Sequence, residues 1–245
     1  MSRDSPFFPL RDAMMAVLPY RGTWPEIWIG AHGPRMRYAA ARYADAWFPG
    51  VTMDASEYGE HLTGIRDAAA DAGRDPHAIK AAKYFFVVTA RSASVVDEIL
   101  EAPVVKSYAL CAPSDYWARH GAEHPLGPGF SGVQDLLPQT MDEETALEYT
   151  RRVPASLIRN FVLAGTPSEI LEQLAEWRDQ GMVYPVLLNM GLLQPSLPTG
   201  VLTNVAYAQM LRGIRKLGPA QARRIGATSA AAGPTSARSP VAPRA

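Results

Sequence analysis

Residues 26–36 read EIWIGAHGPRM and join an apolar run directly to the beginning of a helical pattern. The apolar residues at 27–29 favour a strand, and Pro34 stands at the first helical position, which proline prefers. The small residues at 30–33 leave two interpretations open: a tight turn, or a seat where the backbone approaches an anion closely. Either interpretation predicts a strand, a short loop and a helix in succession.

Strand and helix signals continue to alternate outward from this stretch. A second apolar run at 45–49 follows the predicted helix at 34–44, a crossover long enough for parallel strands and too long for a hairpin. Strongly β-prone runs return at 81–90 and at 183–189. The sequence therefore predicts an α/β fold with four parallel strands. Eight such strands would close a (β/α)8 barrel, whereas four leave two open edges.

Helix boundaries have clear chemical signals. Asp54 with Glu57 three residues later predicts a capped helix, and the run TPSE predicts another, with Thr166 as cap and Glu169 completing a capping box. Gly181 ends the second of these helices. A last helix is predicted at 204–217.

The alternation lapses in residues 103–160, here called the lid segment. A long insertion without regular structure is uncommon in a compact domain unless it has a function, so we predict a lid over a site. One helix is expected inside it, at 142–150, where three acidic residues suit the positive end of a helix.

The lid segment contains HGAEH at residues 120–124, which matches a zinc-protease pattern. That chemistry needs both histidines on one helical face, but Gly121 lies inside the pattern and Pro125 follows it. No metal site is therefore predicted. His120 and His124 are interpreted as loop histidines or as substrate-contacting residues of the lid.

Composition excludes several classes of protein. The chain has 24 basic and 24 acidic side chains; four arginines lie in 219–245, which leaves 20 basic against 24 acidic in the body. Such a body is a poor ligand for nucleic acid. Cys111 is the single cysteine, so no internal disulfide is possible. No apolar run is long enough for a transmembrane segment, and a cytoplasmic protein is expected.

Residues 219–245 are rich in Ala, Ser, Pro, Gly and Arg without apolar periodicity. This composition buries too little apolar surface to offset the entropy of ordering, so a disordered tail is predicted. The predicted organisation is one domain at 1–218 followed by this tail.

The loop after the first strand is the candidate binding site. Ligands of parallel α/β folds bind at the carboxyl ends of the strands. Small residues and free N–H groups at a helix start suit an anion, and a basic residue lies in the first turn of the helix. The candidate, here called the phosphate seat, consists of Gly30, Ala31, His32, Gly33 and Arg35. His32 equally fits a histidine that only packs the loop.

Several motifs together resemble the luciferase-like monooxygenase barrels, in particular the branch that uses coenzyme F420. WPEIWIGAHGPRM with RYADAWFPG is similar to the fifth strand, fifth helix and sixth strand of that family, and FVLAGTPSEILEQLAEWRDQG to the segment before its eighth strand. SPFFPL, LPYRGTWPEIW, WARHGAEHP and FSGVQDLLPQTMD more narrowly resemble phthiodiolone ketoreductases, which reduce a ketone on a cell-envelope lipid.

The resemblance implies coenzyme F420 as cofactor, or FMN as the alternative, and a lipid ketone as substrate. It also implies that the phosphate seat helps to hold the cofactor phosphate, although His32 departs from the glycine common there. Trp117, His120 and His124 are the residues of the lid segment expected to contact lipid. Tyr84 fits a core position better than a proton donor, so the catalytic acid is unknown.

The resemblance begins in the middle of the barrel, so the chain is expected to form the C-terminal half of a (β/α)8 barrel, strands 5–8, with strands 1–4 missing. Half the site would then be absent, and impaired activity follows. The alternatives are a non-catalytic truncated remnant and a monooxygenase that uses FMN. An open half-barrel is also expected to self-associate through its exposed sheet edges.

Overall fold

The computed structural model describes residues 2–14, 17–30, 32–50, 52–193 and 196–218. The tail predicted at 219–245 lies outside the described residues. None of the described helices combines the length and the apolar character that spanning a bilayer requires.

Strands and helices alternate as predicted, and the described strands form one parallel sheet. The strands are β1 (Trp28–Ile29), β2 (Ala46–Trp47), β3 (Lys80–Thr89), β4 (Leu163–Gly165) and β5 (Tyr184–Asn189). The helices are α1 (Pro34–Tyr43), α2 (Ala55–Asp71), α3 (Ala93–Glu101), α4 (Pro103–Ser107), α5 (Ser114–Arg119), α6 (Glu143–Arg151), α7 (Ala155–Phe161), α8 (Pro167–Asp179) and α9 (Leu197–Ile214). The prediction of four strands is wrong by one: it omits β4, which lies between the lid segment and the helix predicted at TPSE.

Strand β3 is the centre of the sheet, and every strand pair is parallel. Val87 pairs with Leu163 of β4 and with Asn189 of β5, so β4 and β5 lie on opposite edges of β3. The N–H of Lys80 donates to the carbonyl of Asp45, just before β2. The carbonyl of the next residue, Ala81, accepts the N–H of Val183, just before β5. Strand β5 therefore lies along one edge, while β2 and β4 share the other and β1 continues outward from β2.

The two faces of the sheet have different neighbours. One face, the helix face, packs against α1, α2, α8 and α9, with Trp47 stacked on Tyr58 at a centroid distance of 4.8 Å. The opposite face, the cleft face, includes Phe86 and Val88, which pack against the helices between β3 and β4. Each fully buried large apolar side chain contributes about 1.5–3 kcal/mol relative to exposure, so both layers stabilise the sheet.

The predicted caps of α2 and α8 are confirmed, and α6, predicted as a helix at 142–150, also begins with a side-chain cap. Asp54 accepts the N–H of Glu57 at 2.8 Å, and Asp142 accepts the N–H of Thr145 at 2.8 Å. Thr166 and Glu169 form the predicted capping box, in which the carboxylate accepts the Thr166 N–H at 2.7 Å. These three helix starts are therefore closed by their own side chains.

The lid segment contains more regular structure than the single helix predicted for it. Helices α4, α5, α6 and most of α7 lie inside it, three of them beginning at or beside a proline. Between α5 and α6 the chain turns at Gly121, Gly127, Gly129 and Gly132, each with a positive φ. Helices this short are invisible to a search for long periodic patterns, which is why the segment resembled a loop.

Candidate functional site

A cleft of about 840 Å³ lies between the cleft face of the sheet and the lid segment. It opens where the loops after β1 and β2 leave the sheet, and its volume suits a small organic ligand. Its lining residues are Gly30, His32, Gly33, Gly50, Thr52, Glu57, Tyr84, Phe86, Tyr108, Cys111, Pro113, Asp115, Arg119, Ser131, Gly132, Val133, Gln134 and Phe161. The predicted loop after the first strand and part of the predicted lid thus meet around one cavity.

Three residues of the phosphate seat line this cleft: Gly30, His32 and Gly33. Arg35 is exposed on the first turn of α1 and does not line it, and Ala31 lies outside the described residues. A Cβ at Gly33 would enter open space, and the first turn of α1 holds no acidic residue. Unlike α2, α6 and α8, helix α1 therefore begins without a side-chain cap, and its positive end faces the loop.

His32 fastens the loop after β1 to the loop after β2. Its Nε2 accepts the N–H of Gly50 at 2.9 Å. Burial, followed by the charges of Lys83 and His61, holds the pKa of His32 below its ordinary value of 6.5. The imidazole is therefore neutral at pH 7, and it interacts with the loop as a hydrogen-bond acceptor, not as a cation.

Lys83, on β3, lies next to the contact between His32 and Gly50, and 1% of its surface is exposed. Its Nζ donates a short hydrogen bond to the carbonyl of Gly50 and a longer one, 3.4 Å, to the carbonyl of Tyr84. The rings of Trp177 and Phe85 lie 5.1 and 5.4 Å from the same nitrogen. Burial lowers the pKa of Lys83 to about 7, against the opposing charge of Glu57.

The sequence analysis did not single out Lys83, although a signal was present. A lysine in the middle of the buried strand AAKYFFVVTA is an anomaly, because charged residues are almost never fully buried unless they have a partner. The partner, a backbone carbonyl from another loop, was not visible in the sequence.

An aromatic wall closes the other side of the cleft. Tyr84 and Phe86 of β3 meet edge to face at 5.0 Å, and Phe86 contacts Tyr108 at 4.9 Å and Phe161 at 5.5 Å. Burial, with a smaller effect of Tyr108, raises the pKa of Tyr84 above 10. The phenol of Tyr84 is therefore protonated at neutral pH, at the border of the cleft.

The three lid residues predicted to contact lipid lie away from the cleft lining. Trp117 is fully buried, and its Nε1 donates to the carbonyl of Ala109 at 3.1 Å. His124 is 4% exposed and stacks on Phe130 at 4.3 Å. His120 follows the end of α5 and contacts Tyr116. These side chains pack the lid segment internally, because its turns fold the short helices back on one another.

Other residues of the lid segment reach the cleft. Asp115 and Arg119 project from α5 into its lining, and Arg119 forms a 4.0 Å ion pair with Glu57 of α2 across it. Cys111 also lines the cleft, half-buried, and burial raises the pKa of its thiol. The lid segment thus presents one acidic and one basic side chain, Asp115 and Arg119, to the cleft, beside the aromatic wall.

No group of three or more His, Cys, Asp or Glu side chains is placed to hold a metal ion within the ranges that the structure describes. Helix α5 ends at Arg119, so His120 and His124 do not share a helical face. The zinc-protease pattern has no structural counterpart there.

Residues 3–183 match the family of luciferase-like monooxygenases. Over 217 residues the chain is 52% identical to the phthiodiolone/phenolphthiodiolone dimycocerosates ketoreductase of Mycobacterium tuberculosis. The matched region is 89% of this chain and 57% of that protein, so the chain spans a little over half the length of this relative.

Solved structures share the fold at low sequence identity. An F420-dependent secondary alcohol dehydrogenase, in complex with an F420–acetone adduct, superposes with a TM-score of 0.59 at 14% identity, over 86% of this chain and 56% of the other. A riboflavin lyase with modified FMN and riboflavin gives a TM-score of 0.55 at 18% identity, over 91% and 49%. At these identities the likeness concerns the fold, and the two structures hold different cofactors.

Proposed function

Because the chain belongs to the luciferase-like monooxygenase family, we propose that its cleft is part of an F420-dependent site that reduces a ketone of a lipid. The single observation that supports this most is the 52% identity to a protein named as a phthiodiolone/phenolphthiodiolone dimycocerosates ketoreductase. The matched region covers 89% of this chain.

The residues present fit a phosphorylated cofactor. The start of α1 is free of side-chain caps and acids, and Gly33 leaves space for a ligand atom close to the backbone. In the proposal Gly30, Ala31, His32 and Gly33 surround the phosphate, which the backbone N–H groups and the helix end stabilise. Arg35 adds a cation on the same turn, reaching the ligand from outside the cleft.

When bound, reduced F420 supplies the hydride that converts the ketone carbon to that of a secondary alcohol. The ketone oxygen must then gain a proton, and we assign this proton to the phenol of Tyr84. Its raised pKa keeps the proton on the phenol at neutral pH. Phe86 and Phe161 exclude water beside it, while the lid segment covers the cleft. Solvent returns the proton to Tyr84 after each turnover.

We further propose that residues 1–218 are a partial barrel domain, in which β1, β2, β3 and β5 are strands 5–8 of a (β/α)8 barrel and the lid segment is inserted. Two observations support this organisation. Among the described residues, β1 pairs with β2 alone and β5 with β3 alone, so each has an open edge. The dehydrogenase structure extends beyond the superposed 56% of its length. The remaining strands of such a barrel would complete the ligand site.

Calorimetric titration with F420 tests the proposal. We expect weak binding by the chain alone, and binding at least about tenfold tighter, or about 1.4 kcal/mol, after addition of the part of the Mycobacterium tuberculosis relative that the chain does not match. Absence of binding in both samples would contradict an F420 site. Equally tight binding in both would contradict the division of the site. Tighter binding of FMN in a parallel titration would favour the flavin alternative.

A second candidate is a non-catalytic chain that associates with copies of itself. The observation in its favour is the uncovered part of the cleft face, where Trp28 is 36%, Tyr184 47% and Leu188 36% exposed. Exposed sheet edges beside apolar side chains favour association. Sedimentation of the titration sample decides between the candidates: oligomers that do not dissociate on adding F420 and the complementary part favour the second.

A further inference from the structure

The backbone of one residue in the cleft wall, Gly50, is held from both sides. The N–H of Gly50 donates to Nε2 of His32 at 2.9 Å, and its carbonyl accepts from Nζ of Lys83. A Cβ at Gly50 would lie 2.8 Å from the same Nε2, closer than real Cβ atoms come to a nitrogen. The contact between His32 and Gly50 is therefore direct, and it requires a glycine.

The position of Lys83 is not explained by packing alone. Burying an ammonium group is costly unless it is hydrogen-bonded and paired. Among the described residues, Glu57 is the one carboxylate whose charge raises the pKa of Lys83, and the facing rings of Trp177 and Phe85 supply a weaker attraction. An apolar side chain of the same length would fill this part of the helix face at lower cost. The lysine nonetheless makes a contact that no apolar residue can make, the bond to the Gly50 carbonyl.

We propose that Lys83 is a positioning residue for the phosphate seat, acting on His32 through the backbone of Gly50. Lys83 fixes the loop after β2 against the centre of the sheet. Gly50 transmits that position to His32, and His32 to the loop that begins α1. The assignment of this loop to a cofactor phosphate rests on the proposed function. The link itself, the two hydrogen bonds that join Lys83 to Gly50 and Gly50 to His32, does not.

The link has a consequence for binding. Loops at the ends of β1 and β2 contribute separate walls of the cleft, and each would otherwise lose freedom when a ligand binds. Joined through Gly50, they are ordered before the ligand arrives, which lowers the entropic cost of binding. Removing Lys83 should therefore weaken the seat without removing any group that touches the ligand.

Hydrogen exchange of the Gly50 amide in the chain alone tests the link without any cofactor. The variant is Lys83→Met, and the matched control is Lys80→Met on the same strand, whose Nζ pairs with Glu26 on the opposite face. We expect Gly50 protection to fall at least about tenfold in Lys83→Met relative to amides of α8, and to stay unchanged in Lys80→Met. Unchanged protection in Lys83→Met would overturn the proposal.

A double-mutant cycle on F420 affinity, in the preparation with the complementary part, tests the path through His32. Lys83→Met should weaken binding about three- to tenfold in the wild-type background, and should have no further effect in the His32→Ala background. Additive losses would contradict the path, because a merely structural role adds independently. If F420 binds to none of the proteins, the proposed function fails while the exchange result still decides the link.

A second variant covers the case in which Lys83→Met does not fold. Gly50→Ala perturbs the link from its other end, since the new Cβ displaces His32. In the wild-type chain His32 should be a single tautomer with the proton on Nδ1, because Nε2 accepts the N–H of Gly50. In Gly50→Ala we expect nitrogen-15 spectra to show a mixture of His32 tautomers. Retention of that tautomer in Gly50→Ala would count against the proposal.

Discussion

Tyr84 and Tyr108 share the aromatic wall, yet the strand and the lid hold them differently. Tyr84 is fixed in the longest strand, between Phe48 at 6.2 Å and Phe86 at 5.0 Å. Tyr108 lies in the short turn after α4. A phenol on a strand is positioned more precisely than one on a turn, which is why the proton is assigned to Tyr84.

Tyr84→Phe tests this assignment at the scale of a single atom. In the preparation that binds F420, we expect kcat for a long-chain ketone to fall about 10²- to 10⁴-fold, the usual contribution of a positioned acid. The Kd for F420 should not change, because the ring remains. Tyr108→Phe is the matched control and should lower kcat less than about threefold. Equal effects of the two substitutions would refute the assignment.

Single residues were predicted unevenly from the sequence. Gly30, His32 and Gly33 were placed at a strand end by local pattern alone, and they line the cleft. Lys83 and Gly50 were missed because their contact joins distant parts of the chain. Trp117 looked like a ligand contact because its motif matches a family, but a motif does not state which way a side chain faces.

At the scale of elements, caps were the most informative signals. Asp54, Asp142 and Thr166 each begin a helix as predicted, because the hydrogen bond that a cap makes is local to three or four residues. The strand β4 and the short lid helices were missed because they exist only through packing against β3 and against one another. Features that depend on neighbouring residues could be predicted from the sequence, whereas features that depend on contacts between distant parts of the chain could not.

Helix α2 offers a test of how packing changes a local rule, because it has two interior glycines. A Cβ at Gly64 meets open space, whereas a Cβ at Gly59 would collide with the side chain of Gln180. We expect Gly64→Ala to raise the free energy of unfolding by about 0.5–1 kcal/mol, the difference in helix propensity. Gly59→Ala should give no gain or a loss, from overpacking.

Urea denaturation measures both variants, and the double variant Gly59→Ala with Gln180→Ala provides the control. Removing the Gln180 side chain takes away the collision, so the double variant should be more stable than Gln180→Ala alone. If Gly59→Ala and Gly64→Ala stabilise the chain equally, the packing of α2 against the end of α8 is not as described.

At the scale of the whole molecule, four bases whose pKa values are lowered by full or partial burial make stability depend on pH. Burial is the first cause that lowers the pKa values of His32, His61 and His124 below 6.5, and it lowers that of Lys83 to about 7 from 10.5. Between the lowered and the ordinary pKa of each of these groups, the unfolded chain binds more protons than the folded chain. The free energy of unfolding therefore rises with pH, first just below pH 6.5 and then above pH 7.

Groups with raised pKa values determine the pH at which stability stops rising. Burial raises the pKa of Cys111 above 9.0 and those of Tyr84 and Tyr116 above 10.0, so the folded chain keeps protons that the unfolded chain loses. The gain from Lys83 continues towards its ordinary pKa of 10.5, whereas Cys111 opposes it above about pH 9 and the tyrosines above about pH 10. Stability should therefore be greatest at about pH 9–10, above the usual range of about pH 5–8.

Urea denaturation at pH 5, 7, 8.5 and 10 checks this dependence. We expect a rise of about 1–2 kcal/mol between pH 7 and 8.5, from the titration of Lys83. Lys83→Met should abolish this rise, and Lys80→Met should keep it. A wild-type curve that is flat or falling between pH 7 and 8.5 would show that Lys83 titrates near its ordinary value.

The position of the lid segment in the chain also bears on how the protein folds. Val87 of β3 pairs with Leu163 and Phe85 pairs with Leu187, so the whole lid segment must be looped out before β3 acquires β4 and β5. The equilibrium cost of a longer loop is small, about 0.6 kcal/mol for each doubling of its length. Long-range parallel pairing is nevertheless slow, because the loop must close before its contacts form. A lid segment of twice the length should therefore slow refolding by about threefold at most and lower the free energy of unfolding by about 0.6 kcal/mol.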